Sequence, residues 1–294
     1  MDNLDLKKLT LRNFRSYKNL NLQFDSKFIY FSGPNGIGKT NILEAISLFS
    51  PGRGLRNANI SDLNQIKNKN LWHLSAILNI SNIFMEIEIG LDKTGKKHLR
   101  IDGKKKPLFC LAEIFKILWI TPLMDRLWIG ASNERRRFLD RLVMNFFPHH
   151  AKYCILYDQA LTKRNLLFKE NEKDEAWFIA IEKQLAEIGY FIDKYRREVI
   201  NLLSKMQLNM KNKGYFPILD IGLNTNPINN MNEFFENLKK TRKNDYKFKR
   251  TLIGPHKSDL IIHHIVKNMP AKNCSTGEQK SLLLSLFILS SLAI

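Results

Sequence analysis

One octapeptide constrains this chain more than any other feature. Gly33-Pro34-Asn35-Gly36-Ile37-Gly38-Lys39-Thr40 satisfies G-x-x-x-x-G-K-[ST] at every position. The apolar run Phe28-Ile29-Tyr30-Phe31 precedes it and reads as the end of a strand. Ile42, Ala45, Ile46 and Phe49 follow at helical spacing and predict a helix over residues 41–49. The glycines let the backbone curl until its N–H groups converge on an anion. The helix N-terminus adds the positive end of its dipole. Lys39 is expected to reach the β- and γ-phosphates of a nucleoside triphosphate, and the Thr40 hydroxyl to bind a magnesium ion. The motif names the ligand and leaves the reaction open.

Around this loop the hydrophobic pattern changes three times. Residues 7–31 read as strands, with Leu20, Leu22 and Phe24 alternating. The alternation returns from Leu74 to Ile101, where Ile83, Met85, Ile87 and Ile89 interleave with Phe84, Glu86 and Glu88. Turn signals stand at Thr94-Gly95 and Asp102-Gly103. From about 111 to 210 the pattern is helical. Its clearest part is one stripe of Trp177, Ile181, Leu185, Ile188, Ile192, Tyr195, Val199, Leu202 and Met206 on a long helix, packed on a neighbour or in a short coiled coil, packing being favoured. Residues 211–245, rich in Asn, Pro and Gly, read as loops. Strand-like sequence returns at Asp259–Val266, and a last apolar helix starts near Glu278. No internal repeat is found. The order β-rich, helical, then β again predicts an α/β P-loop head, residues 1–110 with 246–294, carrying an inserted helical lobe, residues 111–245.

Charge narrows the partner. The 47 Lys and Arg stand against 28 Asp and Glu, a net charge of +19, which makes a polyanion a plausible partner. Abundant Lys and Asn throughout would also arise from an AT-rich genome. Membrane-surface binding is less favoured, because no basic amphipathic helix stands out. The apolar stretch Ser281–Ile294 is broken by serines and too short to span a bilayer, and the N-terminus lacks the apolar run of a secretory signal. Cys110, Cys154 and Cys274 are odd in number and far apart, which fits a reducing compartment and argues against a disulfide scaffold. A cytoplasmic protein is expected. His149-His150 and His263-His264 are adjacent pairs whose side chains point apart, so neither reads as a metal site. Basic clusters at Lys104–Lys106, Arg135–Arg137 and Lys239–Arg250 are candidate phosphate contacts, each also readable as a solvated face.

A second motif lies far downstream: Ser275-Thr276-Gly277-Glu278-Gln279-Lys280, opening a Leu-rich helix. Ser275 with Glu278 three residues on is a capping box. Paired with the upstream loop, the segment also resembles the signature motif of ABC-type ATPases. There a serine, a glycine and a helix N-terminus of one head cap the γ-phosphate held by another.

The chain resembles the RecF family, bacterial DNA-repair relatives of the SMC-type ATPases. The segments that agree, in order, are Leu11-Arg12-Asn13-Phe14-Arg15-Ser16-Tyr17, Gly33–Thr40 continuing as Asn41-Ile42-Leu43-Glu44-Ala45, and Ser50-Pro51-Gly52-Arg53-Gly54-Leu55-Arg56. Next come Arg135-Arg136-Arg137-Phe138-Leu139-Asp140, Gln159-Ala160-Leu161-Thr162-Lys163-Arg164-Asn165, Gly254-Pro255-His256-Lys257-Ser258-Asp259, and Ser275–Lys280. The resemblance implies an ATP site made by Gly33–Thr40 with Asn41, by Arg12 and Asn13 after the first strand, and by Ser275, Gly277 and Glu278 from a second protomer. It implies an ATP-dependent homodimer that sandwiches ATP and Mg2+, clamps double-stranded or gapped DNA, and works with other recombination mediator proteins in DNA replication, repair and the SOS response. Arg12 and Arg15 are also readable as a solvated turn.

The family pattern requires a hydrophobic strand ending in two acids after the signature helix, and a later histidine. Residues up to Ile294 supply neither; Phe216-Pro217-Ile218-Leu219-Asp220 is too short and leads into Gly222. Lys257-Ser258 also stands where the family usually has Arg and Asp. On these residues no catalytic group is assigned and ATP hydrolysis is left open. The alternative reading is therefore a truncated or decayed product that binds nucleotide and DNA without turnover. A P-loop kinase is disfavoured, since no acceptor lid is evident and the Ser275 segment would go unexplained.

Overall fold

The computed structural model describes residues 4–65, 71–210 and 216–294. The chain divides into two compact units, Met1–Trp119 and Ile120–Ile294.

The first unit is built on β1 (Leu4–Phe14), β2 (Tyr17–Gln23), β3 (His73–Ile80), β4 (Ile83–Leu91), β5 (Lys97–Ile101) and β6 (Lys104–Lys106), in the sheet order β2-β1-β3-β4-β5-β6. Neighbouring strands are antiparallel throughout. Two of the turns carry the chemistry that tight hairpins need. Ser81-Asn82 and Asp102-Gly103 each hold two consecutive positive φ angles, the mirror-image turn that matches strand twist. Period-2 alternation turns Leu74, Ala76 and Leu78 of β3 inward, beside Leu9 and Leu11 of β1 and Ile87 and Ile89 of β4. The helix α1 (Lys39–Ser47) buries Ile42 and Ala45 in this same core, with Phe49 just beyond its end.

The second unit contains α3 (Ser132–Phe146), α4 (His150–Glu170), α5 (Glu175–Met210), α6 (Met231–Phe248) and α7 (Thr276–Ala293); the short α2 (Leu111–Ile114) belongs to the first unit. A small antiparallel sheet, β7 (Leu219–Leu223), β8 (Leu260–His264) and β9 (Met269–Pro270), runs in the order β7-β8-β9. One core gathers Ile181, Leu185, Ile188 and Ile192 of α5, Tyr157 and Ala160 of α4, and Phe234 and Leu238 of α6.

Three expectations are corrected. The run Phe28–Phe31 pairs with no described strand, and Phe28 and Tyr30 stand 94% and 89% exposed. Residues 231–248 are helix rather than loop, because Phe234 and Leu238, four apart, are buried against α4 and α5, and Asn230 caps the first turn by accepting from the Glu233 N–H; residues 211–215 lie outside the described residues. The α5 stripe holds in its middle and shifts at both ends, where Phe178 and Leu203 are buried and Trp177 and Leu202 are exposed.

Candidate nucleotide site

The loop Gly33–Gly38 turns on three left-handed glycines, Gly33 (φ 145°), Gly36 (φ 83°) and Gly38 (φ 109°), and ends as the N-cap of α1. Gly38 is doubly required. Its φ excludes most side chains, and a Cβ there would sit 2.5 Å from the Tyr17 hydroxyl. The Lys39 ammonium folds back over the loop, donating to the carbonyls of Gly33 (2.5 Å) and Pro34 (2.9 Å). Thr40 is exposed in the first turn, and Asn41 donates through its amide to the Ser16 hydroxyl at 2.9 Å. A concave backbone, a helix N-terminus, one ammonium and one exposed hydroxyl suit a triphosphate and its magnesium ion. Lys39 and Thr40 would hold them, and the ion would supply charge neutralisation of the phosphates.

Glu44, one turn along α1, ties together three separated segments of the sequence. Its carboxylate is fully buried. It accepts from Arg15 Nε (2.9 Å) and Nη2 (2.7 Å), and from Arg56 Nη1 (2.9 Å). Arg15 also donates to the Asp62 carbonyl at 2.7 Å, and Arg56 to Asn41 at 2.8 Å. The β1–β2 turn, the phosphate loop and the Ser50–Arg56 segment are thus tied to one carboxylate. Arg15 is not a solvated turn residue. Asn13 (φ 49°) and Arg15 (φ 52°) both take left-handed backbone at this turn. Arg12 is exposed on β1, opposite Asn19 and His73 in register.

The downstream motif belongs to the second unit. Ser275 accepts from the Glu278 N–H at 3.5 Å, and Glu278 accepts from the Ser275 N–H at 2.9 Å, so the capping box is complete. Ser275 and Gly277 are exposed at the helix start, and the Ser275 hydroxyl keeps its own proton to donate. Glu278 pairs with Lys267, which, with the Ser275 N–H, brings its carboxyl down to about 2. Gln279 is buried, donating to the Cys274 carbonyl at 2.9 Å, and its own carbonyl accepts from Trp128 Nε1 at 2.9 Å.

The remaining segments that resemble the family form a largely buried ionic lattice within the second unit. Arg135 grips Asp259 with two bonds, 2.8 and 2.7 Å, and Arg136 donates to the Ser258 carbonyl at 2.8 Å. Of the cluster Arg135–Arg137, Arg137 is exposed, while Arg135 and Arg136 are half-buried and engaged with Asp259 and the Ser258 carbonyl. Arg196 holds Asp140 in the same two-bonded way and reaches the Pro255 carbonyl at 2.7 Å. Arg164, fully buried, binds Glu182, Asp245, the Thr251 hydroxyl and the Leu238 carbonyl. His256 donates from Nε2 to the Thr251 carbonyl, which leaves Nδ1 to accept from the Tyr157 hydroxyl at 3.0 Å; burial lowers its pKa to about 4. Asp140, His150 and Cys154 come within 4.8 Å of one another, a grouping that adjacent-pair logic misses. The Arg196 guanidinium already occupies that carboxylate, and burial raises the thiol well above its ordinary value, so the grouping reads as an ion-paired core. The polar residues Glu182, Asp193 and Arg196 beside the apolar stripe of α5 were the available sequence signal for this lattice.

No described helix is long and apolar enough to cross a membrane. The family described as the RecF/RecN/SMC N terminal domain matches residues 5–293. The DNA replication and repair protein RecF of Mesorhizobium japonicum is 40% identical over 296 residues, covering 96% of this chain and 78% of that protein. The Brucella suis protein of the same name is 36% identical over 301 residues, covering 98% and 78%. Among solved structures, the recombination mediator protein RecF-ATP in the RecFOR pathway aligns at 25% identity with a TM-score of 0.86, over 98% of this chain and 80% of that one. An Smc head domain from Pyrococcus furiosus shares the fold at 19% identity and TM-score 0.50. With the phosphate loop, the helix-capping motif and this breadth of match, the chain belongs to the RecF family of DNA replication and repair proteins, with the fold of an SMC-type ATPase head.

Proposed function

We propose that this chain is an ATP-gated DNA-binding protein of recombinational repair. ATP with Mg2+ is held by Gly33–Thr40, Asn41, Arg12 and Asn13, and is capped in a homodimer by Ser275, Gly277 and Glu278 of the second copy. In this reading residues 1–110 and 246–294 serve the ATPase lobe and residues 111–245 the helical lobe. Two copies close on double-stranded or gapped DNA in the cytoplasm, together with other recombination mediators, during the response to DNA damage.

The observation that carries the reading is the left-handed glycine loop ending at the N-terminus of α1, with Lys39 folded across it. Support comes from the RecF-ATP structure, whose fold matches over nearly the whole chain, and from the net charge of +19. Lys39 would bind the phosphates and Thr40 the magnesium ion, and the exposed Ser275 hydroxyl would donate to the γ-phosphate across the dimer. Fluorescent-nucleotide titration and sedimentation test this. Lys39→Ala should weaken ATP binding by about 10- to 100-fold, the worth of a charge-assisted bond. Ser275→Arg should leave binding intact and abolish ATP-dependent dimerisation. Unchanged ATP affinity in Lys39→Ala would overturn the nucleotide assignment. An unchanged dimer in Ser275→Arg would overturn the capping assignment.

A further inference from the structure

A cavity lies wholly within the second unit, and none of its lining residues belongs to the segments assigned to the nucleotide. It measures about 510 Å3 and is walled by residues 225–230, the first turns of α6 and residues 252–257. That volume suits a small polar ligand; such sites run from about 300 to 1,000 Å3. Its lining is of three kinds. Ile228, Phe234 and Ile253 make an apolar wall. Asn226, Asn229 and Asn237 bring carboxamides, each both donor and acceptor. Lys240 and Lys257 bring two exposed ammonium groups. The acids there do not cancel them. Asp193 is consumed by Arg197 at 2.8 Å and by the Ile228 N–H at 3.0 Å, leaving Glu233 as the one exposed carboxylate in the lining.

The cavity also opens onto a charged track. Lys240, Lys243 and Lys247 are exposed on α6 at spacings of three and four, so they share one face, and Arg250 follows just past its end. The three lysines span about 10 Å along the axis, which matches about three phosphates of one strand at 3.4 Å each. Lys240 belongs to both the track and the cavity. Lys257 sits in a positive field, its ammonium held below the ordinary value by burial and then by Arg250 and Arg136.

We propose that this cavity receives a single unpaired nucleotide of a bound polynucleotide, with the phosphate at Lys240 and Lys257, the base edge on the asparagine carboxamides, and the adjoining backbone on the α6 lysines. The inference rests on the DNA-binding reading above and adds a place where unpaired nucleotide differs from duplex. Carboxamides recognise base edges and lysines recognise phosphate; the apolar wall takes the base face.

The test compares two labelled DNAs by anisotropy: a blunt duplex, and the same duplex carrying one unpaired end nucleotide. The full chain should prefer the second by about tenfold. Asn237→Trp, which fills the cavity, should erase that preference and leave blunt-duplex affinity within about twofold. A second readout needs no duplex. In a Lys39→Ala background, which disables the phosphate loop, deoxyadenosine monophosphate should give a saturation-transfer NMR signal that Lys257→Glu or Asn237→Trp removes. No preference in the parent chain, or a preference retained in Asn237→Trp, overturns the assignment. Absence of blunt-duplex binding counts against the DNA reading instead, and the monophosphate signal then decides the cavity on its own.

Discussion

Arg164→Met removes a charge from the driest place in the second unit. Arg164, Glu182 and Asp245 are all 0% exposed. Methionine fills similar space with an apolar chain, so the cost is electrostatic rather than a cavity. The consequences for the two acids differ. Glu182 keeps Arg242, which donates to it through Nε at 2.9 Å and Nη2 at 2.6 Å. Asp245 loses its one ion-pair partner among the described residues and retains two neutral donors, the Leu252 N–H at 3.0 Å and the Thr241 hydroxyl at 3.1 Å. The Leu238 carbonyl also loses a donor, and the Phe168 ring loses a guanidinium 4.7 Å from its centroid. Breaking a buried pair by removing one member costs about 3–5 kcal/mol. Because only one of the two acids is stranded, about 4 kcal/mol is expected. For a unit of this size that is a melting-temperature loss of about 8–16 °C.

Urea titration followed by circular dichroism measures it, with Arg164→Met/Asp245→Leu as the diagnostic double variant. If the stranded carboxylate is the cause, the double variant recovers part of the loss. A loss under about 1 kcal/mol, or a double variant less stable than the single, would refute the reasoning.

Other perturbations test different links. Gly254→Ala forces a left-handed backbone (φ 125°) to carry a Cβ that meets the Tyr157 hydroxyl and lies 3.1 Å from Phe234, so urea midpoints should fall by the equivalent of about 2–4 kcal/mol. Ser275→Ala should cost α7 its cap, about 1 kcal/mol in the same assay, and Ser275→Asn should restore most of it. His256, held neutral with a pKa of about 4, contributes stability that is complete above pH ~6.5 and lost as pH falls towards 4. His150, also lowered by burial, adds in the same direction. A denaturation series from pH 7 to 4 should therefore show falling midpoints, with a shallower slope in His256→Gln.

Legibility in the sequence followed the range of the interactions. Local rules gave the hairpins, because Asp102-Gly103 is itself the turn. They gave α7, because Ser275 and Glu278 are three residues apart. They gave the phosphate loop, in which the three glycines, Lys39 and Thr40 each have a stated task. Long-range pairing was not legible. Arg15 and Glu44 are 29 residues apart and Arg164 and Asp245 81 apart, and no local pattern says that such charges meet. The run Phe28–Phe31 has strand composition, yet a strand exists only when a neighbour accepts its hydrogen bonds. The helix α6 was hidden by its polar surface: Asn and Lys dominate it, and the burial of Phe234 and Leu238 depends on α4 and α5 being there to receive them.

The buried ions bear on the binding surface in turn. Among the described residues, the charged side chains that folding buries are Glu44, Glu182, Asp193 and Asp245 against Arg164 and Arg196. Four acids leave the surface for two bases. The exposed surface is therefore more basic than the net charge of +19 taken over the whole chain. Arginine suits the inner role, since its planar fork satisfies a carboxylate with two parallel bonds, as at Asp140, Glu44 and Asp259. Lysine keeps the outer role on α6 and on β6, where Lys104, Lys105 and Lys106 are all exposed. Arg15, Arg56, Arg135 and Arg164 of the family segments thus serve folding, and the polyanion surface falls mainly to exposed lysines. Affinity for a phosphate backbone built from such point charges should decline steeply with salt and depend little on base sequence. Charge-reversing Lys243 and Lys247 should flatten that salt dependence and leave the urea midpoint unchanged, whereas charge-reversing Arg135 should collapse the midpoint first.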